Sequence, residues 1–100
     1  MWYEPGFEVT KDRVSRGAAL LDKHDPDWHS KVADVSLQLM NPVNCVLYHV
    51  FGGYHVGLGR LGLRWDEAVD HGFCGLSPYL VPCWTAEIMK RMTKKEAVTV

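Results

Sequence analysis

The first third of the chain carries apolar residues at helical spacing. In TKDRVSRGAALLDKH, small and apolar residues recur at intervals of three and four, which predicts one buried stripe on an amphipathic helix. The stripe consists of Val14, Gly17, Ala18 and Leu21. Thr10 is the predicted N-cap of this helix. Asp25 followed by Pro26 predicts its end and the start of a second helix, in which Trp28 and Val32 share a face.

The segment VADVSLQLM, residues 32–40, is ambiguous because strand-like alternation and helical spacing overlap in it. We interpret it as a short helical turn or an extended link. A strand here would lack a partner, since the chain has no second alternating run of useful length.

The stretch CVLYHVFGGYHVGLGRLGL, residues 45–63, is apolar almost throughout and rich in glycine. Its first half is apolar on nearly every side, which predicts a helix at the centre of the fold, with Asn41 and Pro42 at its start. Gly52 and Gly53 predict its end, because glycine adopts the left-handed C′ conformation without steric penalty.

A second helix is expected from Tyr54 to about Leu61, with Leu58 on the same face. Each glycine inside a helix costs about 1 kcal/mol relative to alanine. We therefore expect Gly57 and Gly59 to lie where another helix crosses at short distance.

The segment RWDEAVDHGF predicts a short helix with Trp65, Ala68 and Val69 facing inward. Gly72 at C′ and Phe73, folding back on the last turn, predict a Schellman-type ending.

The last helix is expected from about Cys83 to Met92. Its predicted buried stripe consists of Trp84, Ile88 and Met92. Glu87 lies four residues before Arg91, a spacing that predicts a modest surface ion pair.

These elements predict an all-α fold, a small irregular bundle of about five short helices joined by capped turns. A chain of 100 residues with 47% hydrophobic side chains is large enough for one core and too small for a catalytic domain plus a regulatory one. We expect a single helical domain over residues 1–100, with residues 1–9 and 94–100 loosely ordered.

Charge, the N-terminal sequence and cysteine content indicate the type of partner and the cellular location. Eleven Lys and Arg against twelve Asp and Glu leave a formal charge of −1, so nucleic-acid binding is disfavoured because a basic field is missing. The N-terminus lacks the pattern of a secretory signal, and three cysteines at irregular spacing indicate reduced thiols. We expect a cytoplasmic protein without a membrane partner, and a homodimer is an open alternative.

A zinc site is the most specific chemical alternative that the sequence offers. Cys45 and His49 are four apart on one predicted helix, and His71 and Cys74 are three apart, so two pairs could form a Cys2His2 site. Neither pair is a CxxC motif, and free cysteine is commonly buried as a small hydrophobe. We expect neither a metal nor another cofactor, and a zinc-stabilised structural module stays as an alternative.

The sequence gives no clear catalytic constellation. Cys74 could pair with His71 or His55, but spacing alone shows neither an orienting third group nor an oxyanion site. The carboxylates have ready roles as helix caps or solvated charges, and no G-x-S-x-G, P-loop or H-E-x-x-H motif occurs. We therefore expect a protein that is not an enzyme and has no catalytic residue.

A small helix-turn-helix-like DNA-binding regulator is a further alternative, because Gly52 and Gly53 separate two short helices. The second helix would present Tyr54, His55, Val56, Gly57, Gly59 and Arg60 to DNA. One arginine and two glycines form a poor recognition surface, and Tyr48 is bulky at a position where the motif normally needs a small residue.

Aromatic residues define the candidate partner-binding site. Four tryptophans and four tyrosines are more than a core of this size requires, and aromatic residues are enriched at protein interfaces. The predicted partner-binding residues are Trp2, Tyr3, Phe7 and Tyr79.

The segments RGAALLDKHDPDW, NCVLYHVFGGYHVGLGRLGL, DHGF and WTAEI together resemble a group of small proteins, without assigned activity, encoded by actinobacteriophages, including mycobacteriophages. The similarity runs from about Arg16 to Phe73 and includes the final helix. It implies an accessory protein acting inside an infected bacterium. From the aromatic residues and the lack of a catalytic constellation, we expect this protein to bind a host or phage protein and alter its activity, with inhibition of the host as one outcome. The position of His49 is more typically glutamine in that pattern, which argues against a metal ligand there.

Overall fold

The computed structural model describes residues 6–32, 42–74 and 78–98, without the side chains of residues 42–45 and 94–98. Within these ranges the chain forms six helices and no strand, which confirms the predicted small all-α bundle. The helices are α1 (Phe7–His24), α2 (Trp28–Val32), α3 (Pro42–Phe51), α4 (Tyr54–Leu61), α5 (Trp65–Asp70) and α6 (Leu80–Val98). The ambiguous residues 33–40 lie outside the description. Among the described helices, none is both long and apolar enough to cross a bilayer.

Helices α1 and α6 lie side by side and run in the same direction. The rings of Phe7 and Tyr79 meet where the two helices begin, and Asp22 and Arg91 meet further along both. The predicted buried stripe of α1 is confirmed. Because α1 and α6 are parallel, the chain between them returns along the bundle, and α2 to α5 lie on that return path.

Three aromatic side chains form the centre of the core. Trp84 of α6 stacks on Phe73 with ring centroids 5.3 Å apart, and it meets Trp28 of α2 edge-on at 5.8 Å. All three rings are buried. The indole N–H of Trp84 donates to the backbone oxygen of Gly72 at 2.8 Å, so the polar atom of this buried ring is paired.

The ending of α5 is the Schellman motif that the sequence predicts. Gly72 has a φ of +72°. The N–H of Gly72 donates to the carbonyl oxygen of Val69 at 3.1 Å, and the N–H of Phe73 donates to that of Ala68 at 2.9 Å. The motif turns the Phe73 side chain into the core, where it is fully buried.

Two glycines allow this turn to pack directly on α1. A Cβ atom on Gly17 would overlap the carbonyl oxygen of His71, and a Cβ atom on Gly72 would lie 2.8 Å from Cα of Val14. Alanine at either position therefore requires the helix and the turn to separate. The spacing pattern places Gly17 on the buried stripe of α1 but does not indicate this contact.

Helices α3 and α4 form a hairpin, and they pack closely against each other at Gly57. A Cβ atom there would lie 3.0 Å from Cβ of Leu47, which confirms the predicted close crossing. The same prediction for Gly59 is wrong, because Gly59 is exposed and a Cβ atom there would have no neighbour within 4 Å. Residues two apart point to different sides of a helix, so the two glycines cannot both face α3. Gly52, with a φ of +91°, ends α3 as predicted.

Helix α1 begins earlier than the sequence predicts. Gly6 is the N-cap in an extended conformation, and the N–H of Thr10 donates to the carbonyl oxygen of Gly6 at 3.0 Å. The predicted cap at Thr10 is wrong, since this residue is buried one turn inside the helix. Residues 7–9, which we expected to be loosely ordered, thus form the first turn of α1.

Helix α6 is longer than the predicted segment at both ends. It begins at Leu80, so that Pro82 falls in the first turn. Proline is tolerated there, because backbone N–H groups of the first turn have no acceptor within the helix and proline lacks only that group. It continues to Val98 and so includes residues 94–98, which we expected to be loosely ordered. Trp84 and Ile88 are buried as predicted, whereas Met92 is exposed.

The inward prediction for Trp65 is also wrong, since 74% of this residue is exposed. Trp65 is the first residue of a six-residue helix, and Ala68 is the residue of α5 that enters the core. Arg64 and Asp66 on either side form an exposed ion pair with a nitrogen–oxygen distance of 3.1 Å. So short a helix can bury only one narrow face, and the tryptophan lies outside it.

Candidate interaction surface

Phe7 and Tyr79 form an aromatic pair at the end of the bundle where α1 and α6 begin. Their ring centroids are 5.6 Å apart and the ring planes meet at 82°, an edge-to-face contact. Phe7 is the first residue of α1, and the carbonyl oxygen of Tyr79 accepts the N–H of Cys83 in the first turn of α6 at 2.9 Å. Both rings are therefore attached to backbone that the starts of α1 and α6 hold in place.

This pair, which we call the Phe7–Tyr79 surface, is only half covered by the protein. Phe7 is 46% exposed and Tyr79 is 40% exposed. The structure thus brings together two of the four predicted partner-binding residues and leaves part of each ring in solvent. Trp2 and Tyr3, the other two, lie outside the described residues.

Other large apolar side chains are also exposed, on α1 and α6 as well as on α3, α4 and α5. They are Val9, Tyr48, Val56, Trp65, Met89 and Met92. Single exposed apolar residues are ordinary on a protein surface, but Trp65 is the most exposed of them and sequence reasoning missed it. Its position at the start of a very short helix, between two charged residues, is the signal that could have indicated exposure.

A charged cluster ties α1, α2 and α6 together. The guanidinium of Arg91 donates to both carboxylate oxygens of Asp22 at 2.9 and 2.8 Å, and to Oε1 of Glu87 at 2.7 Å. The indole N–H of Trp28 also donates to Asp22 at 2.8 Å. The Glu87–Arg91 pair is therefore present, but it is part of a partly buried network rather than the modest surface pair expected from the spacing.

The electrostatics of this cluster are those of a structural network. The hydrogen bond from Arg91 lowers the pKa of Asp22, and the hydrogen bond to Asp22 raises the pKa of Arg91. Both groups therefore stay ionised at neutral pH, each held by a partner. A general acid or base needs a proton that it can exchange, which this arrangement opposes.

The residues of the zinc alternative do not come together in the described part of the chain. His49 contacts the ring of Tyr48. Nδ1 of His71 lies 2.8 Å from the carbonyl oxygen of Glu67. Among the described side chains, no three of His, Cys, Asp and Glu are placed to hold a metal ion. The side chain of Cys45 is outside the description, so the four-residue zinc site stays an open alternative.

The two cysteines with described side chains, Cys74 and Cys83, are free thiols. Burial raises the pKa of Cys83, which favours the unreactive thiol. Burial, followed by an interaction with the thiol of Cys74, raises the pKa of Tyr54. Cys74 therefore lies near a phenol.

The DNA-binding alternative depends on which residues α4 exposes to solvent. Its exposed residues are His55, Val56, Gly59 and Arg60. Tyr54 is only partly exposed and Gly57 is buried against α3, so neither is presented in full as that alternative expects. A face with one arginine offers few contacts to phosphates or guanine.

Comparisons of the chain with known protein families, curated proteins and solved structures give no match.

Proposed function

We propose that this protein is a non-enzymatic interaction protein that binds another protein through the Phe7–Tyr79 surface and alters that protein's activity. The observation that carries the proposal is the half-exposed edge-to-face pair at the starts of α1 and α6. Aromatic residues dominate the binding energy of many protein interfaces. Side chains that are already positioned lose less conformational entropy when a partner covers them, so a preformed pair is suited to binding.

The biological setting of the proposal comes from the sequence resemblance to actinobacteriophage proteins. The partner is then a host or phage protein inside an infected actinobacterium, and the place of action is the cytoplasm. Inhibition of the host is one consequence that such binding could have. The charge balance of the chain, −1 overall, supports a protein partner over a nucleic acid.

A quantitative pull-down tests the proposal. Tagged protein is exposed to an actinobacterial lysate, with and without co-expressed phage proteins, and recovered proteins are quantified by mass spectrometry. We expect one partner to be enriched reproducibly. Phe7→Ala and Tyr79→Ala should each lower its affinity by about 30-fold, since loss of an interface hot spot costs about 2 kcal/mol.

The matched control is Tyr48→Ala, which removes an exposed aromatic ring from α3. It should leave recovery of the partner unchanged. Circular dichroism of each variant verifies that the helical fold is retained. Recovery of no partner, or equal recovery with the Phe7 and Tyr79 variants, would contradict the proposal. Salt-dependent binding of duplex DNA in fluorescence anisotropy would favour the DNA-binding alternative instead.

A further inference from the structure

A groove of about 260 Å³ lies between α1 and the turn that follows α5. Its lining residues are Arg16, Ala19, Leu20, Lys23 and His71. The first four are spaced three, four and seven residues apart, which places them on one side of α1. The fifth reaches that side because Gly17 lets the backbone of His71 approach the helix so closely. The groove is thus a product of the same glycine packing that organises the fold.

The rim of the groove is cationic. The Nε–H of Arg16 donates to the carbonyl oxygen of Asp70 at 3.1 Å, which holds the guanidinium at the groove and leaves its terminal N–H groups for another acceptor. In the described parts of the chain, no carboxylate forms an ion pair with Arg16 or with the exposed Lys23. The lining contains no acidic side chain. Two unpaired cations and an imidazole therefore face the same space.

The lining also has an apolar part, which we call the floor of the groove; it consists of the exposed Ala19 and the partly buried Leu20. The groove is open to solvent, and it is smaller than the enclosed cavities of about 300–1,000 Å³ that typically bury metabolites. These features fit one short part of a larger molecule better than a complete small ligand. A cationic rim over an apolar floor complements a carboxylate next to an apolar side chain.

We propose that this groove binds an acidic side chain of a partner polypeptide, with a neighbouring apolar side chain on Ala19 and Leu20. The inference rests on the proposed function, because the occupant is a segment of the partner protein. Arg16 lies nine residues after Phe7, about half a turn away around α1 at roughly 100° per residue. The groove is accordingly a second contact, separate from the Phe7–Tyr79 surface.

A peptide titration followed by two-dimensional ¹H–¹⁵N NMR tests the inference on the purified full chain. The probe is an acetylated, amidated Leu-Glu-Leu tripeptide, and the matched probe is Leu-Gln-Leu, which has the same shape without the charge. We expect saturable shifts at the amides of Leu20 and His71 with the acidic peptide. The glutamine peptide, and the acidic peptide with Arg16→Gln or Lys23→Gln, should each bind about fivefold or more weakly.

Lys11→Gln is the control variant, because it removes one positive charge from the same helix outside the groove. It should leave the titration unchanged. The inference is overturned if the acidic peptide gives no saturable shift, if both peptides act equally, or if inorganic phosphate alone produces the shifts. A pull-down that recovers a partner while the peptide fails contradicts the groove only. Peptide binding without any recoverable partner contradicts the proposed function.

Discussion

Gly17→Ala is expected to destabilise the protein by about 3 kcal/mol. The added Cβ would overlap the carbonyl oxygen of His71, and the ring of Phe73 lies only 3.2 Å from the same Cβ position. Neither neighbour can yield easily, since one is backbone and the other belongs to the packed core. In a domain of this size about 3 kcal/mol corresponds to a fall in Tm of roughly 12–24 °C, measurable by thermal unfolding followed with circular dichroism.

Gly59→Ala is the matched control for this prediction. It adds the same methyl group to a helix, at an exposed position where a Cβ would have no neighbour within 4 Å. Alanine is the better helix former, so stability should rise by up to about 1 kcal/mol. Equal stability of the two variants would show that the close approach of α1 to the turn after α5 is not a structural requirement.

The second large effect is expected for Arg91→Met, which should cost about 2–3 kcal/mol in the free energy of unfolding. Arg91 bridges Asp22 of α1 and Glu87 of α6 and lies 5.4 Å from the centre of the Trp28 ring. Methionine retains the apolar stem but removes the guanidinium from Glu87, whose side chain is only 11% exposed and keeps only the exposed Lys90, at 3.5 Å, as a counter-ion. A largely buried carboxylate that loses its closest counter-ion destabilises the folded state. Urea unfolding at neutral pH gives the measurement.

Lys90→Met provides the control, because Lys90 lies next to Arg91 on α6 and also contacts Glu87, at 3.5 Å. Its side chain is 67% exposed, and exposed ion pairs contribute about 0–1 kcal/mol. We expect a loss of less than about 0.5 kcal/mol. A comparable loss for Arg91→Met and Lys90→Met would contradict the structural role assigned to the network.

The features of the fold that depend on local sequence could be predicted. The stripe of α1 follows from helical periodicity, and the ending of α5 follows from a glycine and an aromatic residue in adjacent positions. Contacts between distant parts of the chain could not be predicted in the same way. The approach of Gly17 to His71 and the bridge from Arg91 to Asp22 depend on which helices become neighbours, and periodicity within one helix does not contain that information.

The same division between local features and long-range contacts applies to the Phe7–Tyr79 surface. Aromatic composition and position near loops could indicate Phe7 and Tyr79 as separate residues, but their contact follows from the parallel arrangement of α1 and α6. Trp65 was missed because apolar spacing indicates a face of a helix without indicating whether so short a helix has a neighbour on that face. The cationic groove was also missed, since its two walls come from segments that are far apart in sequence.

Site-specific photocrosslinking gives a direct test of partner binding through the Phe7–Tyr79 surface. A benzophenone amino acid is substituted for Tyr79, or for Tyr48 as the control, and the protein is irradiated inside an actinobacterial host with and without co-expressed phage proteins. We expect a discrete crosslinked adduct to one other protein from the Tyr79 position and none from the Tyr48 position, since only Tyr79 belongs to the Phe7–Tyr79 surface. Absence of an adduct from the Tyr79 position, or the same adducts from both positions, would contradict binding through that surface.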